Sequence, residues 1–389
     1  MDVNQPLALL AGLSPAQFMR RHWQKKPLLV RSAMPGLKPL LSRAELFALA
    51  AQPQVESRLV QQHTGGWRMK QGPFGPRSLP ALARPGWTLL VQGVDLHDRR
   101  AHDLLQQFRF VPDARLDDLM ISFATAGGGV GPHFDSYDVF LLQASGQRRW
   151  KIGRQKDLSL QADVPLKILQ NFEATEEFVL EAGDMLYLPP RYAHDGLAEA
   201  CAGDDGKPAD CMTYSIGFQA PERGELAGQL LQRLADFADD GEGRRHLYRD
   251  PSQPAVATPA ALPASLLGFA QEAVSAALQD PLALACVLGE YLTEPKATVW
   301  FDAPAQAWNP RIACSLALSP RSRMMYDSHH VFINGESYRA RGADASLMRR
   351  LADQRSLTVA DLRRASPDAL DLLSDWHASG WLLRVQAPN

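Results

Sequence analysis

The sequence predicts a mixed α+β protein with a β-rich centre, and three observations along the chain support this. From Thr88 onward, several segments alternate apolar and polar residues as half-buried strands do. From Pro221, apolar residues recur at helical spacing, and RGELAGQLLQRLADFADD is a strongly amphipathic helix. Beyond residue 306, the dipeptide Asn334-Gly335 predicts a hairpin among short helices. We therefore expect a sheet-rich core, then a helical region, then a small α/β tail.

Residues 1–90 are expected to mix short helices and strands around this core. Ser14, followed by proline, and Ser42, followed three residues later by Glu45, are typical helix starts. A serine side chain accepts a hydrogen bond from a free N–H group of the first turn, and a glutamate at that spacing returns one. Residues 27–30 are expected to form a strand. The turn-rich segment TGGWRMKQGPFG predicts a hairpin.

The stretch from Asp117 to Gly153 contains the strongest chemical signal. It includes the tripeptide His133-Phe134-Asp135, preceded by a glycine-rich run. If this tripeptide lies in a β-strand, its imidazole and carboxylate point to the same side. His194, in GDMLYLPPRYAHDG, is the candidate third ligand. Two histidines and one carboxylate form the facial triad of non-haem Fe(II) oxygenases, which leaves positions open for substrate and oxygen.

Arg148 is expected on the apolar face of the next strand, together with Trp150 and Ile152. A buried guanidinium is costly unless it is paired. Two interpretations stay open: Arg148 pairs with an internal acid, or it binds a carboxylate of a ligand, which it can grip through two hydrogen bonds. Beside an Fe(II) triad, the dicarboxylate that fits the second interpretation is 2-oxoglutarate.

One face of the predicted strand RLDDLMISFATA carries Asp118, Met120 and Ser122. An acid, a thioether and a hydroxyl group on one face are unusual for a plain core. The face is either half-solvated or the wall of a pocket. As a pocket wall, Ser122 would help to hold the cosubstrate and Asp118 would bind a cationic side chain. Met120 and Tyr137 would then flank that side chain, and Ser215 in MTYSIGF would reach the substrate.

Four segments of this chain resemble a known family: DDLMISFATAGGGVGPHFDSYDVFLLQASGQRRWKIG, LEAGDMLYLPPRYAHDG, MTYSIGF and FMRRHWQKKPLLV. The family is that of the JmjC-type 2-oxoglutarate oxygenases, and within it the bacterial ribosomal oxygenases that hydroxylate an arginine of large-subunit ribosomal protein sixteen. The resemblance is strongest over residues 90–220. It implies a double-stranded β-helix (jelly-roll, cupin-like) core and a dioxygenase that uses Fe(II), 2-oxoglutarate and O2. It also implies that the positions Asp118, Met120 and Tyr137 bind the target arginine.

The resemblance, with the changes in sequence pattern, divides the chain into four regions. Residues 1–90 would support the barrel, and residues 91–220 would form the JmjC catalytic domain. Residues 221–305 would form a helical dimerisation region, since the family favours a homodimer. Residues 306–389 would form a winged-helix-like domain. Winged helices often bind DNA, but the arginines of this region are offset by acids, so a role in protein contacts is favoured.

The composition excludes several classes of protein. A net charge of −2 over 389 residues argues against broad electrostatic binding of nucleic acid. The four cysteines lack metal-binding or disulfide spacing and are expected to be free thiols in a reducing compartment. No apolar signal core and no apolar run of about 18 residues is present, so neither export nor a transmembrane helix is expected. The predicted location is the cytoplasm.

The remaining histidines are interpreted as structural or exposed. His22, beside a tryptophan, is assigned to packing, whereas His97 and His102 lie among charged residues and are expected to be exposed. His329 and His330 are adjacent on a predicted strand, so they point in opposite directions and chelate poorly.

Two rival functions stay open. A relative on the same scaffold would hydroxylate histidine or demethylate lysine, although Asp118 favours a cationic side chain over histidine. A non-catalytic, cupin-like regulator would bind nucleic acid through its tail, which the near-neutral charge disfavours.

Overall fold

The computed structural model describes residues 2–385 except 65, 76, 203–208, 240–246, 253, 256–259, 261 and 311–313. Six of the residues in the polar loop 199–210, and part of the Pro/Ala-rich stretch that follows the amphipathic helix, therefore lie outside the described residues. The chain divides into two compact units. The first comprises Met1–Ala220 with Ala297–Val299, and the second comprises Pro221–Lys296 with Trp300–Asn389.

The first unit consists mainly of antiparallel strands. Its strands are β1 (Leu28–Val30), β2 (Ser57–His63), β3 (Gly66–Gln71), β4 (Trp87–Val91), β5 (Leu116–Ala124), β6 (Asp138–Ser145), β7 (Arg148–Gly153), β8 (Glu176–Leu180), β9 (Met185–Leu188), β10 (Ala193–Ala198) and β11 (Cys211–Phe218). Its helices are α1 (Pro15–Arg21), α2 (Arg43–Ala50) and α3 (Arg99–Leu105), with 3-10 turns at Ala8–Leu10, Val94–Leu96 and Gln106–Phe108.

Two sheets face each other and form the double-stranded β-helix. The larger sheet has eight strands in the order β1-β9-β6-β11-β5-β4-β2-β3, and the smaller has the order β10-β7-β8. Apolar residues of β6 and β9 pack against Trp150, Ile152 and Leu180 of the smaller sheet. The inward faces of the two sheets therefore enclose the interior of the barrel.

The two faces of β5 differ as the alternation predicts. Leu119, Ile121 and Phe123 belong to the largest apolar cluster, which packs the outer face of the eight-stranded sheet against the N-terminal helices. Asp118 and Ser122 point the other way, into the barrel, and are buried there. Because side chains alternate along a strand, one segment serves both the core and the interior.

The N-terminal helices begin where their capping residues predict. The hydroxyl of Ser14 accepts from the Gln17 N–H group, and Ser42 does the same with Glu45. In both, the side chain at the third helical position accepts from the N–H group of the serine, so two free donors are satisfied. The predicted hairpin is formed by β2 and β3.

Two sequence predictions about histidines are wrong. His102 is buried on the inner side of α3, and His97 is half-buried. The charged neighbours of His102 in the sequence face solvent. His102 lies on the opposite side of the helix, together with Leu105 three residues later, and this side packs against the apolar cluster.

The second unit begins with the helices α4 (Arg223–Asp239), α5 (Ala264–Gln279) and α6 (Pro281–Thr293), and a small α/β region follows them. The helices of this region are α7 (Gly342–Gln354), α8 (Val359–Leu362) and α9 (Pro367–Ala378). Its strands are β12 (Ser315–Leu318), β13 (Met324–Tyr326), β14 (His330–Ile333), β15 (Glu336–Arg339), β16 (Ser356–Leu357) and β17 (Leu382–Val385).

The predicted Asn334-Gly335 turn connects β14 to β15, and both residues have positive φ, as this tight turn requires. The four cysteines are free, as the sequence predicts. Among the described residues, no helix is long and apolar enough to span a membrane.

Candidate active site

Three potential metal ligands meet at one rim of the barrel. His133 and Asp135 lie in the segment between β5 and β6, and His194 is the second residue of β10. One ligand atom from each of the three lies within 4.8 Å of those of the other two. Asp135 Oδ2 is 3.6 Å from His194 Nε2, and the two imidazole centroids are 4.2 Å apart.

The backbone holds the two histidines together, although not in the way the sequence predicts. The expected strand around His133 and Asp135 is wrong, because both residues lie outside the strands. His133 forms only an isolated bridge with His194. The N–H group of His133 donates to the carbonyl of His194 at 2.9 Å, and the reverse bond is 2.8 Å. The convergence of the ligands therefore comes from this local pairing rather than from strand alternation.

Each imidazole is oriented by a carbonyl group two residues before it. His133 Nδ1 lies 2.8 Å from the oxygen of Gly131, and His194 Nδ1 lies 2.9 Å from that of Tyr192. A carbonyl only accepts hydrogen bonds, so Nδ1 carries the proton and Nε2 is left for metal ligation. Burial, reinforced by His133, lowers the pKa of His194 to about 4. The imidazole of His194 is therefore neutral at neutral pH, which is the form that binds metal.

Gly131 allows this geometry because no side chain fits at its position. A Cβ there would lie 2.7 Å from both Ile168 Cδ1 and Trp67 Cζ2, and its φ is +78°. Gly131 is thus needed for close packing next to the first metal ligand.

Arg148 is buried inside the barrel, with 3% of its surface exposed. Its Nε and Nη2 atoms have no hydrogen-bond partner among the described residues, and no ion pair is formed there. Within that part of the chain, its guanidinium instead lies 5.7 Å from the centre of the Trp150 indole. Of the two interpretations that the sequence left open, this arrangement favours a ligand carboxylate, because no acid in the described part of the chain forms an ion pair with the guanidinium.

The inward face of β5 lies against that of β11. Ser215 is directly opposite Met120, and Thr213 is directly opposite Ser122. The Ser122 hydroxyl donates to the carbonyl of Thr213 at 3.3 Å. The structure therefore places Met120, Ser122 and Ser215 on one polar wall.

Asp118 is held in place by residues that the sequence did not single out. Its Oδ2 accepts from Gln92 Nε2 at 2.8 Å and from the Gly93 N–H group at 2.9 Å. A Cβ on Gly217 would lie 3.7 Å from Asp118 Oδ1 and 4.0 Å from the Tyr137 ring, so the acid and the phenol flank the same glycine. Gln92 and Gly93 carry no motif, and only the turn after β4 brings them to Asp118.

Tyr137 lies where the surroundings of Asp118 meet solvent, since 42% of its surface is exposed. Burial of its hydroxyl side, with the nearby charges of Asp135 and Asp118, raises the pKa of the phenol above its usual value. Tyr137 therefore stays protonated and polar between the metal ligands and Asp118.

Comparison with protein families identifies both units. The JmjC domain matches residues 103–226, and the ROXA-like winged helix matches residues 276–383. The ribosomal protein uL16 3-hydroxylase of Escherichia coli is 35% identical over 294 residues, which is 75% of each chain. This chain belongs to the JmjC-type ribosomal oxygenases.

Further relatives agree with this family. A probable ribosomal oxygenase of Haemophilus influenzae is 34% identical over 55% of this chain and 52% of its own. The X-ray structure of YcfD from Escherichia coli is 30% identical with a TM-score of 0.82, covering 95% of this chain and 98% of that one. YcfD, described as a ribosomal oxygenase, is also known in complex with cobalt and 2-oxoglutarate, at 30% identity, a TM-score of 0.79 and the same coverage.

The residues present fit the cofactors of this family. Two imidazoles and one carboxylate suit Fe(II), and a buried guanidinium that forms no ion pair with the residues described by the structure suits a dicarboxylate. The chain is a JmjC 2-oxoglutarate dioxygenase that depends on Fe(II), 2-oxoglutarate and O2. Together these supply the oxidising power that inserts an oxygen atom into an unactivated C–H bond.

Proposed function

We propose that this dioxygenase hydroxylates an arginine side chain of a large-subunit ribosomal protein. The observation that carries the proposal is Asp118, a carboxylate buried in the barrel beside Tyr137 and anchored by Gln92 and Gly93. An anchored carboxylate near the metal ligands selects a cationic side chain, and a guanidinium can pair with it through two hydrogen bonds. The name of the Escherichia coli relative, a uL16 3-hydroxylase, supports a ribosomal substrate.

The remaining residues have assigned roles in this proposal. His133, Asp135 and His194 hold Fe(II), while Arg148 binds the far carboxylate of 2-oxoglutarate and Ser122 helps to hold it. Met120 and Tyr137 flank the target side chain, and Ser215 contacts it from β11. Burial lowers the pKa of His194, which keeps its imidazole in the neutral form that binds a metal ion.

The test is to incubate the protein with Fe(II), 2-oxoglutarate and whole ribosomes, then to analyse the ribosomal proteins by mass spectrometry. We expect a mass gain of one oxygen, located on an arginine of a large-subunit protein, and none with the His133→Ala variant. An oxygen on histidine, or a methyl group lost from lysine, would contradict the arginine assignment. Unchanged turnover of 2-oxoglutarate in His133→Ala would contradict the metal site itself.

We also propose that residues 221–305 join two copies of the chain into a homodimer. Leu266, Leu267, Val274 and Leu278 of α5 are exposed apolar residues, and such patches are uncommon on a monomer. Light scattering of the full chain should give twice the mass of the 389 residues. Substituting Leu267 and Val274 by glutamate should yield monomers, and a monomeric wild type would refute the proposal.

The family and the charge together favour a protein substrate over a nucleic acid. A chain that acts on ribosomal proteins would work in the cytoplasm. Direct binding of nucleic acid, the rival function, predicts a salt-dependent gel shift of DNA, which a net charge of −2 does not favour.

A further inference from the structure

Trp150 lies on the inward face of β7 between the two halves of the site. The centre of its indole is 5.7 Å from Arg148 Cζ and 5.8 Å from the centre of the His194 imidazole. The side chain is 5% exposed and packs with the apolar residues between the two sheets. The indole is therefore next to both a metal ligand and the Arg148 guanidinium.

Gly196 makes room for the indole. It is paired with Trp150 across the antiparallel strands, between His194 and Ala198. A Cβ at Gly196 would lie 2.5 Å from Trp150 Cζ3 and 2.7 Å from Cη2, closer than any side chain tolerates. The benzene edge of the indole thus covers the inner surface of β10, between the metal ligand and the strand position opposite Arg148.

The pyrrole edge of the indole carries a polar group without a partner. Since the benzene edge faces Gly196, the opposite edge, with Nε1, is turned away from β10. Nε1 is buried and has no hydrogen-bond partner among the described residues. A buried donor left in this state is destabilising, and at this place, next to a metal ligand and Arg148, a bound molecule can satisfy it. Two nitrogens of the neighbouring Arg148 are in the same state.

We propose that Trp150 is a residue that lines the cosubstrate site. Its indole is the surface on which the methylene carbons of 2-oxoglutarate lie between the metal ligands and Arg148, and its N–H group donates a hydrogen bond to that molecule. Gly196 is the position that allows the indole to lie there. This inference rests on the proposed function of the same site, and it adds a residue that sets affinity for the cosubstrate without holding the metal.

The direct test measures equilibrium binding of 2-oxoglutarate to the full-length Mn(II) protein by calorimetry, without oxygen or substrate. Trp150→Phe should weaken binding about tenfold, because the hydrogen bond and part of the ring surface are lost. The affinity for Mn(II) should stay unchanged, which a loss of fold would not allow. A dissociation constant within about twofold of the wild type would overturn the proposal.

Trp308→Phe is the matched control. Trp308 lies in the second unit and is also buried, and its Nε1 likewise has no partner among the described residues. The same substitution there should leave 2-oxoglutarate binding unchanged. An equal loss of affinity in Trp308→Phe would show that the effect of Trp150→Phe is not local, and it would overturn the assignment.

Arg148→Leu separates this inference from the function on which it rests. If Arg148→Leu binds 2-oxoglutarate like the wild type, the proposed cosubstrate site is wrong. If Arg148→Leu weakens binding and Trp150→Phe does not, only the role of Trp150 fails.

Gly196→Ala provides a second route to the same test, because its methyl group displaces the indole. It should also weaken binding, whereas Gly228→Ala, where a Cβ meets nothing within 4 Å, should not. Should the barrel variants fail to fold, the wild type can be labelled with 15N in its indoles and loaded with Zn(II). Addition of 2-oxoglutarate should then shift an indole N–H signal that is protected from solvent exchange. The absence of any such shift would overturn the proposal.

Discussion

The two faces of β7 each carry an arginine, and the two arginines have opposite surroundings. Arg149 points outward, is partly exposed, and forms ion pairs with Glu177 and Glu199. Arg148, its neighbour in sequence, points inward, is buried, and has no ion pair in the described part of the chain. The protein thus satisfies the outer charge by itself, whereas the described residues leave the inner charge without an ion pair, as the proposed cosubstrate site requires.

Burial alone does not distinguish a functional charge from a structural one. Asp138 is fully buried, but it accepts hydrogen bonds from Tyr187 at 2.6 Å and from Gln24 at 3.0 Å, and Arg115 lies 3.3 Å away. Such a carboxylate is a satisfied part of the core. Arg148 differs because burial coincides with missing partners, and this coincidence is what indicates a binding site.

The largest effect is expected from removing a metal ligand on the inward side of the barrel. His194→Ala should lower turnover of 2-oxoglutarate on the order of 1000-fold, because the remaining two ligands hold a catalytic metal poorly. Succinate formation measures this. His329→Ala, an exposed histidine of the second unit, is the control and should keep full activity. Comparable activity in the two variants would contradict the site.

The next effect compares the two arginines directly. Arg148→Ala should raise the KM for 2-oxoglutarate about 100-fold, since one partner of a buried charge pair is removed. The KM of Arg148→Lys should lie between those of the wild type and Arg148→Ala, because an ammonium group keeps the charge but cannot form the paired hydrogen bonds. Steady-state kinetics with varied 2-oxoglutarate measures both. Equal KM values for Arg148→Ala and Arg149→Ala would contradict the proposal that only the inward arginine binds 2-oxoglutarate.

A smaller effect concerns the acid on the inner face of β5. Asp118→Asn keeps an oxygen that can accept from Gln92 and Gly93 but removes the charge. The KM for the ribosomal substrate should rise about tenfold, the size of a charge-assisted hydrogen bond, while 2-oxoglutarate binding stays unchanged. Substrate-dependent kinetics on ribosomes measures it. An unchanged KM would exclude Asp118 from substrate recognition.

The smallest effect is expected on the outer face. Arg149→Ala should lower the free energy of unfolding only slightly, because exposed ion pairs contribute little. Urea denaturation of the two proteins measures this difference, and turnover should not change. A large loss of activity would show that the outer face also supports the reaction.

Much of the fold follows from local patterns in the sequence. The serine caps at Ser14 and Ser42, the Asn334-Gly335 turn and the alternation along β5 are all present where the residues predict them. Each depends on neighbours within a few positions, so local chemistry is sufficient. The burial of His102 was predicted wrongly because it depends on what the helix packs against, which no local pattern encodes.

For the candidate site, the sequence by itself determined the residue types: two imidazoles, a carboxylate, and an arginine placed by strand alternation on an apolar face. The tertiary structure alone decided that His133 and His194 pair through their backbones, although sixty residues separate them in the chain. It also decided that Gln92 supports Asp118 and that Gly196 makes room for Trp150. The reason is that side-chain chemistry is carried by the sequence, whereas satisfaction or absence of a hydrogen-bond partner depends on distant segments meeting in space.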